Sequence, residues 1–122
     1  MNRLLFVYGT LQGRSRHPVA ERLREMSRLV GAARTQGRLY DLGAYPALVA
    51  SPHGEDVVRG ELIELASPAD SLPWLDAYEG PEYERRLVMV RLADESSVEA
   101  WCYVYTTAMT GYPRIVSGVW DE

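Results

Sequence analysis

One glutamate of this sequence stands where a general acid or base can be built. Glu79 follows Leu72, Leu75 and Tyr78, which share one side of a predicted short helix, and Gly80 ends that helix. A helix C-terminus and partial burial both disfavour a carboxylate anion, so we expect the pKa of Glu79 to be raised. This direction suits proton transfer near neutral pH. The alternative is an ordinary solvated glutamate, the usual state of this residue type.

A glycine turn is the second candidate for chemistry. Tyr8, Gly9, Thr10 and Leu11 follow a short apolar run that reads as a buried strand. Glycine lets backbone N–H groups approach an anion without a side chain in the way, so this turn is a candidate carboxylate site. The alternative is a plain connection between a strand and a helix, because short glycine motifs also arise by chance.

An aromatic strand is the third candidate. Trp101, Tyr103 and Tyr105 share one face of a strand predicted over residues 98–105, and aliphatic residues occupy the other face. If the aromatic face lines a barrel interior, it offers an apolar pocket with hydroxyl donors. Otherwise it forms an aromatic core or an outer stripe.

Other catalytic chemistries lack the residues that they need. His17 and His53 lie outside any cluster with metal-ligand spacing, and a single cysteine has no partner for a zinc site. We therefore expect no metal. Cys102 lies on the aliphatic face of its strand and is expected to be a small core residue. No serine has the surroundings of a nucleophile elbow.

Many short strands and two helices are predicted to position these residues. The strands cover residues 4–8, 39–42, 47–49, 57–65, 87–92 and 98–105. One helix begins near Pro18, and its apolar side, formed by Val19, Leu23, Met26 and Val30, extends it to residue 30. Ser71 is predicted to cap the second, with Pro73 just inside. This pattern favours a mainly antiparallel barrel with helices packed outside.

Composition restricts the class of protein. The 122 residues are 47% hydrophobic and 25% charged, which fits one globular domain over residues 1–122. The net charge of −4 and the scattered arginines disfavour a nucleic-acid partner. We expect a cytoplasmic protein, because no segment predicts a membrane span or a signal peptide and one cysteine allows no internal disulfide.

The motifs together resemble the gamma-glutamylcyclotransferase-like family over nearly the whole chain. The resemblance is carried by five blocks in order, at residues 6–11, 37–41 with 45–47, 58–62, 75–80 with Tyr83 and Arg85, and 101–105. Each block alone is common, whereas their order and spacing are specific.

The resemblance implies an α+β fold, a small mixed and mainly antiparallel β-barrel with a few flanking helices. It also implies that Glu79 is the catalytic acid/base and that residues 8–11 bind the amino-acid end of a γ-glutamyl substrate, without any cofactor. The α-amine of the substrate would attack its own γ-carbonyl, giving 5-oxoproline and a free amine. Tyr83 or Tyr105 would support Glu79 or the developing oxyanion.

A non-catalytic module that binds a small carboxylate is the rival interpretation, and an interaction domain with a solvated Glu79 is a third. The sequence leaves the leaving amine and the oligomeric state open. The enzyme interpretation requires that Glu79 and residues 8–11 border one pocket.

Overall fold

A computed structural model describes residues 2–13, 15–107 and 111–120. Two helices and eight strands follow one another along the chain: β1 (Leu4–Val7), α1 (Pro18–Glu25), β2 (Ser27–Gln36), β3 (Arg38–Asp41), β4 (Pro46–Val49), β5 (Val57–Leu65), α2 (Pro68–Glu79), β6 (Tyr83–Leu92), β7 (Ser97–Tyr105) and β8 (Arg114–Ile115). None of the described helices is long and apolar enough to cross a membrane.

Five strands close a barrel in the order β1-β5-β2-β6-β7. Its ladders are antiparallel except for the closing pair, in which β1 runs parallel to β7 with Leu5 opposite Trp101. The remaining strands form a small antiparallel sheet in the order β4-β3-β8. The predicted α+β barrel with flanking helices is therefore confirmed.

Two apolar clusters hold these layers together. One fills the barrel with residues such as Phe6, Leu62, Cys102 and Trp120. The other lies between the barrel wall and the helices and includes Leu23 of α1 and Leu75 of α2. Gly60 of β5 permits the strands to approach closely, because a side chain there would collide with the Val7 carbonyl oxygen.

The first helix ends earlier than its apolar period predicts. Helix α1 stops at Glu25, and Val30 lies in β2 instead of on a fourth helical turn. Strand β2 pairs with β5 from Ser27 to Gln36, with one register shift, and its far end also pairs with β6. These long-range ladders close the barrel and outweigh the local helical period.

The second helix begins earlier than predicted. Ser67 precedes it, Pro68 opens it, and Pro73 lies inside it. Ser71 is therefore a fully buried interior residue and not the cap. The predicted end is correct, because Gly80 leaves the helix with φ of +85°, a conformation that glycine tolerates.

The aromatic face of β7 lies outside the barrel. Ala100, Cys102 and Val104 point into the barrel core, whereas Tyr103 and Trp101 pack in the cluster beneath the helices. Of the two alternatives for this face, the outer stripe therefore applies to Trp101 and Tyr103, because both pack against the apolar cluster between the barrel wall and the helices. The strict alternation along the strand is correct.

Candidate active site

A cavity of about 240 Å³ opens where β1 ends, α2 ends and β6 begins. The wall of this cavity joins the glycine turn to the end of α2. The described residues that line it are Phe6, Val7, Tyr8, Gly9, Thr10, Leu11, Tyr45, Pro46, Tyr78, Glu79, Glu82, Tyr83 and Tyr103. Glu79 and residues 8–11 thus border one pocket, although about 70 positions separate them in the sequence.

Glu79 occupies the last position of α2, directly before the Gly80 turn. Its side chain is half-buried in the cavity wall, and burial raises the pKa of Glu79 to about 7. Among the described residues, none donates a hydrogen bond to this carboxyl group. A carboxyl group with such a pKa can both accept and donate a proton at neutral pH.

The glycine turn is fixed from both sides. The Tyr8 hydroxyl donates to the Tyr103 carbonyl oxygen at 2.7 Å and accepts from the Leu48 amide at 3.3 Å. Burial raises the pKa of Tyr8 well above its usual value, so this phenol stays neutral. A side chain on Gly9 would come within 2.7 Å of Pro46 Cγ, which explains the need for glycine here.

Three backbone N–H groups of the turn have no acceptor among the described residues. The Gln12 side-chain amide donates to the carbonyl oxygens of Tyr8 and Gly9 at 2.9 and 3.3 Å. The Gln12 backbone N–H also donates to the Gly9 carbonyl oxygen, at 3.1 Å. Within the described chain, no acceptor takes the N–H groups of Gly9, Thr10 or Leu11. Adjacent free N–H groups at a turn are a common way to hold an anion.

The tyrosines of the site differ in their positions. Tyr83 lines the cavity and its hydroxyl donates to the Pro46 carbonyl oxygen at 2.9 Å. Burial, then the charge of Glu79, raises the pKa of Tyr83. Tyr105 stands behind this wall: its ring meets that of Tyr83 edge-on, with centroids 5.1 Å apart, and its hydroxyl donates to Glu82 Oε2 at 2.7 Å.

Several lining residues were not proposed from the sequence as site residues. Tyr103 was assigned only to an aromatic face, and Tyr45 and Pro46 only to a family block, although that block was a usable signal. Glu82 reaches the wall because Gly80 to Tyr83 form a tight turn closed by the Tyr83 N–H to Gly80 carbonyl bond of 3.3 Å. The Pro81 at its second position was the signal for such a turn.

Metal and thiol chemistry find no support in the described residues. Within residues 2–13, 15–107 and 111–120, no three His, Cys, Asp or Glu side chains are grouped as metal ligands. Cys102 is fully buried in the barrel, and burial, followed by the charge of Glu79, raises the pKa of its thiol. A buried neutral thiol is a packing residue.

Comparison with known proteins agrees with the resemblance seen in the sequence. The sequence model of the family described as "Gamma-glutamyl cyclotransferase, AIG2-like" matches residues 5–122. A Vibrio cholerae protein named "Putative gamma-glutamylcyclotransferase" is 35% identical over 125 residues, which cover 100% of this chain and 98% of that protein.

Solved structures share the fold. YkqA from Bacillus subtilis superposes with a TM-score of 0.76 at 30% identity, and the match covers 98% of this chain but only 40% of YkqA. An AIG2-like protein from Mus musculus superposes with a TM-score of 0.79 at 22% identity, over 98% of this chain and 88% of the mouse protein. With the family match spanning residues 5–122, this chain belongs to the AIG2-like gamma-glutamyl cyclotransferase family.

Proposed function

We propose that this protein is a cyclotransferase that converts a γ-glutamyl amide into 5-oxoproline and a free amine, with Glu79 as acid/base. Family membership supports cyclotransferase activity in general. The observation that carries the specific proposal is the shared cavity: its wall includes a carboxyl group of pKa about 7 and residues 9–11, whose N–H groups have no acceptor in the described part of the chain.

The reaction needs one proton carrier and no protein nucleophile. Glu79 as carboxylate takes a proton from the substrate α-ammonium, and the freed amine attacks the γ-carbonyl carbon. The new C–N bond closes a five-membered ring, and the γ-carbonyl becomes a tetrahedral oxyanion. When it collapses, Glu79 returns its proton to the leaving nitrogen as the original amide C–N bond breaks. Glu79 then takes the second proton from the ring nitrogen and passes it to the released amine, which departs as an ammonium ion. Each turnover therefore restores the Glu79 carboxylate.

Positioning supplies much of the remaining acceleration. The N–H groups of Gly9, Thr10 and Leu11 would hold the substrate α-carboxylate, so that the α-amine is folded back toward the γ-carbonyl. Holding two groups in a reactive pose can lower a barrier by several kcal/mol. Tyr83 lines the cavity and is the better placed tyrosine to stabilise the oxyanion, once its hydroxyl turns from the Pro46 carbonyl oxygen to the substrate. Tyr105 would act indirectly through Glu82.

The size of the cavity restricts what it encloses. A volume of about 240 Å³ lies below the usual range for drug-sized ligands, roughly 300 to 1,000 Å³. It suits the glutamyl group alone, and the leaving amine would extend past the exposed rings of Tyr45 and Tyr78. We further propose a cytoplasmic location and no nucleic-acid partner, in keeping with a net charge of −4.

A panel of γ-glutamyl amides tests this function. Release of 5-oxoproline is measured for wild type and Glu79→Gln, with γ-glutamyl amino acids and γ-glutamyl alkylamines as substrates. We expect turnover by wild type alone, unchanged by EDTA. Loss of activity with EDTA, restored by a divalent ion, would contradict the metal-free mechanism.

The rival function makes a different prediction in the same panel. If wild type and Glu79→Gln both bind a γ-glutamyl compound and neither releases 5-oxoproline, the protein is a binding module. Calorimetric titration with the same compounds makes this distinction.

A further inference from the structure

We propose that Asp76, Arg85 and Tyr103 form a clamp that positions Glu79 for proton transfer and keeps a neighbouring negative charge compensated. The name Asp76 clamp denotes these three residues. The inference rests on the proposed function for its kinetic consequences, and the measurement described last is independent of it. None of the three is a catalytic residue in the mechanism above.

The clamp joins the end of α2 to two strands. Asp76 Oδ1 accepts from the Tyr103 hydroxyl of β7 at 2.7 Å and from Arg85 Nε of β6 at 2.9 Å. Asp76 Oδ2 accepts from Arg85 at 3.2 Å, which completes a two-pronged ion pair. The Arg85 guanidinium also lies 4.2 Å above the Trp101 ring, so its orientation is fixed by a second partner.

The same aspartate acts on the residue that follows Glu79. The Asp76 carbonyl oxygen accepts the Gly80 N–H at 3.2 Å, which closes the last turn of α2. Glu79 thus lies in the last turn of α2. The start of this turn is bound to the barrel through the Asp76 side chain, and its end is bound to the Asp76 carbonyl oxygen. Tyr103 extends the link into the cavity, since it also lines the wall. Loosening Asp76 should therefore displace Glu79 relative to residues 9–11.

The clamp also controls charge. Asp76 is one helical turn before Glu79, so its anion would oppose ionisation of Glu79 if nothing compensated it. Burial alone would raise the pKa of Asp76, but the hydrogen bonds from Arg85 and Tyr103 outweigh burial and lower it. Arg85 thus balances the negative charge nearest to Glu79 on its own helix.

Other titratable groups also face Glu79. They come from every element packed around it: Tyr8 after β1, Tyr45 before β4, Tyr78 of α2, Glu82 of the turn, Tyr83 of β6, and Cys102 and Tyr103 of β7. The substitutions proposed below change none of these groups, so the shifts that they cause can be assigned to Asp76 and Arg85.

Three variants separate the two roles of the clamp. Arg85→Met should lower kcat about tenfold with little change in KM, because Glu79 is misplaced. It should also move the acidic limb of the kcat profile up by about half a pH unit, because Asp76 is left uncompensated. Asp76→Asn should move that limb down, because Arg85 is left unpaired. The double variant should return the limb to its wild-type position while kcat stays low.

Two controls exclude a merely structural effect. Arg86→Met removes an exposed cation from the same strand, whose partner is Glu84, and should leave the limb in place. Arg85→Lys keeps the positive charge without the two-pronged geometry. Compared with Arg85→Met, it should return the acidic limb to its wild-type position but recover only part of kcat. Thermal melting of every variant ensures that kinetics refer to folded protein.

Titration of the Glu79 carboxyl carbon by NMR, without substrate, decides the inference independently of catalysis. Opposite shifts in Arg85→Met and Asp76→Asn support the clamp. An unmoved Glu79 titration in both, with activity lost only in proportion to folded protein, would overturn it. If the titration moves but wild type releases no 5-oxoproline from any substrate, the clamp stands and the proposed function falls.

Discussion

Two carboxylates of this protein, the half-buried Glu79 and the buried Asp56, have opposite surroundings. Glu79 lies in the cavity wall with no hydrogen-bond donor among the described residues, and burial raises its pKa to about 7. Asp56, between β4 and β5, is 7% exposed and accepts from Ser51 Oγ at 2.7 Å, Arg38 Nε at 2.6 Å and Arg114 at 2.9 Å. The Ser51 and arginine hydrogen bonds hold the pKa of Asp56 far below its usual value.

The difference separates a group that can carry a proton from one that cannot. Asp56 therefore stays ionised at neutral and mildly acidic pH, and its hydrogen bonds connect β3 and β8 to the loop before β5. Glu79, with a pKa of about 7, changes its charge near neutral pH, and no described residue donates a hydrogen bond to its carboxylate, at a cost in stability. Perturbed carboxyl groups in cavities are typical of catalytic sites, whereas paired ones are typical of structural sites.

The largest expected effect is the loss of activity when Glu79, and not Asp56, is replaced. Glu79→Gln preserves shape but cannot carry a proton, so kcat for 5-oxoproline release should fall by about 10²- to 10⁴-fold. KM should change far less, because the N–H groups of residues 9–11 are untouched. Steady-state kinetics on the best substrate of the panel measure both constants.

The control for this prediction is a carboxylate outside the cavity. Glu84 is paired with Arg86 on the surface, and Glu84→Gln should retain wild-type kinetics. Two further glutamates lie near the glycine turn or the end of α2. Glu61 accepts the Gly13 N–H at 2.6 Å and is not among the residues that line the cavity, whereas Glu82 lines it. Wild-type turnover by Glu79→Gln would therefore move the assignment to Glu82.

The next largest effect concerns Asp56 and stability. Asp56→Asn leaves Arg38 and Arg114 without their anion and should lower the free energy of unfolding by about 2 kcal/mol. This value is below that of a fully buried pair, because both arginines are about one-third exposed. Urea denaturation at pH 7 measures it. Asp94→Asn, in an exposed turn, is the matched control, and an equal loss there would mean that the Asp56 ion pairs contribute nothing.

A smaller effect is expected from the wall that faces Glu79. Gly9→Ala would press a methyl group against the Pro46 ring, whose carbonyl oxygen also holds the Tyr83 hydroxyl. We expect a loss of about 1–2 kcal/mol in stability and a raised KM for γ-glutamyl substrates. Gly31→Ala is the control, because nothing lies within 4 Å of a side chain there. An unchanged KM in Gly9→Ala would argue against carboxylate binding at this turn.

The sequence predicted the elements whose signals are local. The apolar run of β1, the alternation of β7 and the Gly80 stop of α2 each depend on neighbouring residues, and the structure has all three. The position of Glu79 at a helix end follows from that stop. The family blocks, read in order, brought residues 8–11 and Glu79 into one hypothesis before any contact was known.

What the sequence did not predict depends on contacts between distant residues. Val30 continues a helical period, but barrel closure places β2 beside β5 and β6. The partners of Asp56 lie 18 and 58 positions away, so no local pattern indicates that ion pair. Tyr103 and Tyr105 share one strand face, and alternation does not show which of them reaches the cavity.

The smallest expected effect is the pH dependence of stability, and it compares the two carboxylates directly. The folded-state pKa of Glu79 is above its unfolded value of about 4.3, so the folded protein binds the proton more tightly. The contribution of Glu79 to the free energy of unfolding is at its maximum below pH 4 and is lost as the pH rises toward 7. Between pH 5 and 8, the free energy of unfolding of Glu79→Gln should therefore rise relative to wild type by about 1 kcal/mol. This is less than the full pKa shift of Glu79 implies, because water reaches the open cavity.

The folded and unfolded pKa values of Asp56 both lie below this pH range. The loss of stability in Asp56→Asn should therefore stay constant from pH 5 to 8. Urea denaturation at four pH values gives both differences. A constant difference for Glu79→Gln would show that Glu79 titrates as in the unfolded chain, and the contrast between the two sites would disappear.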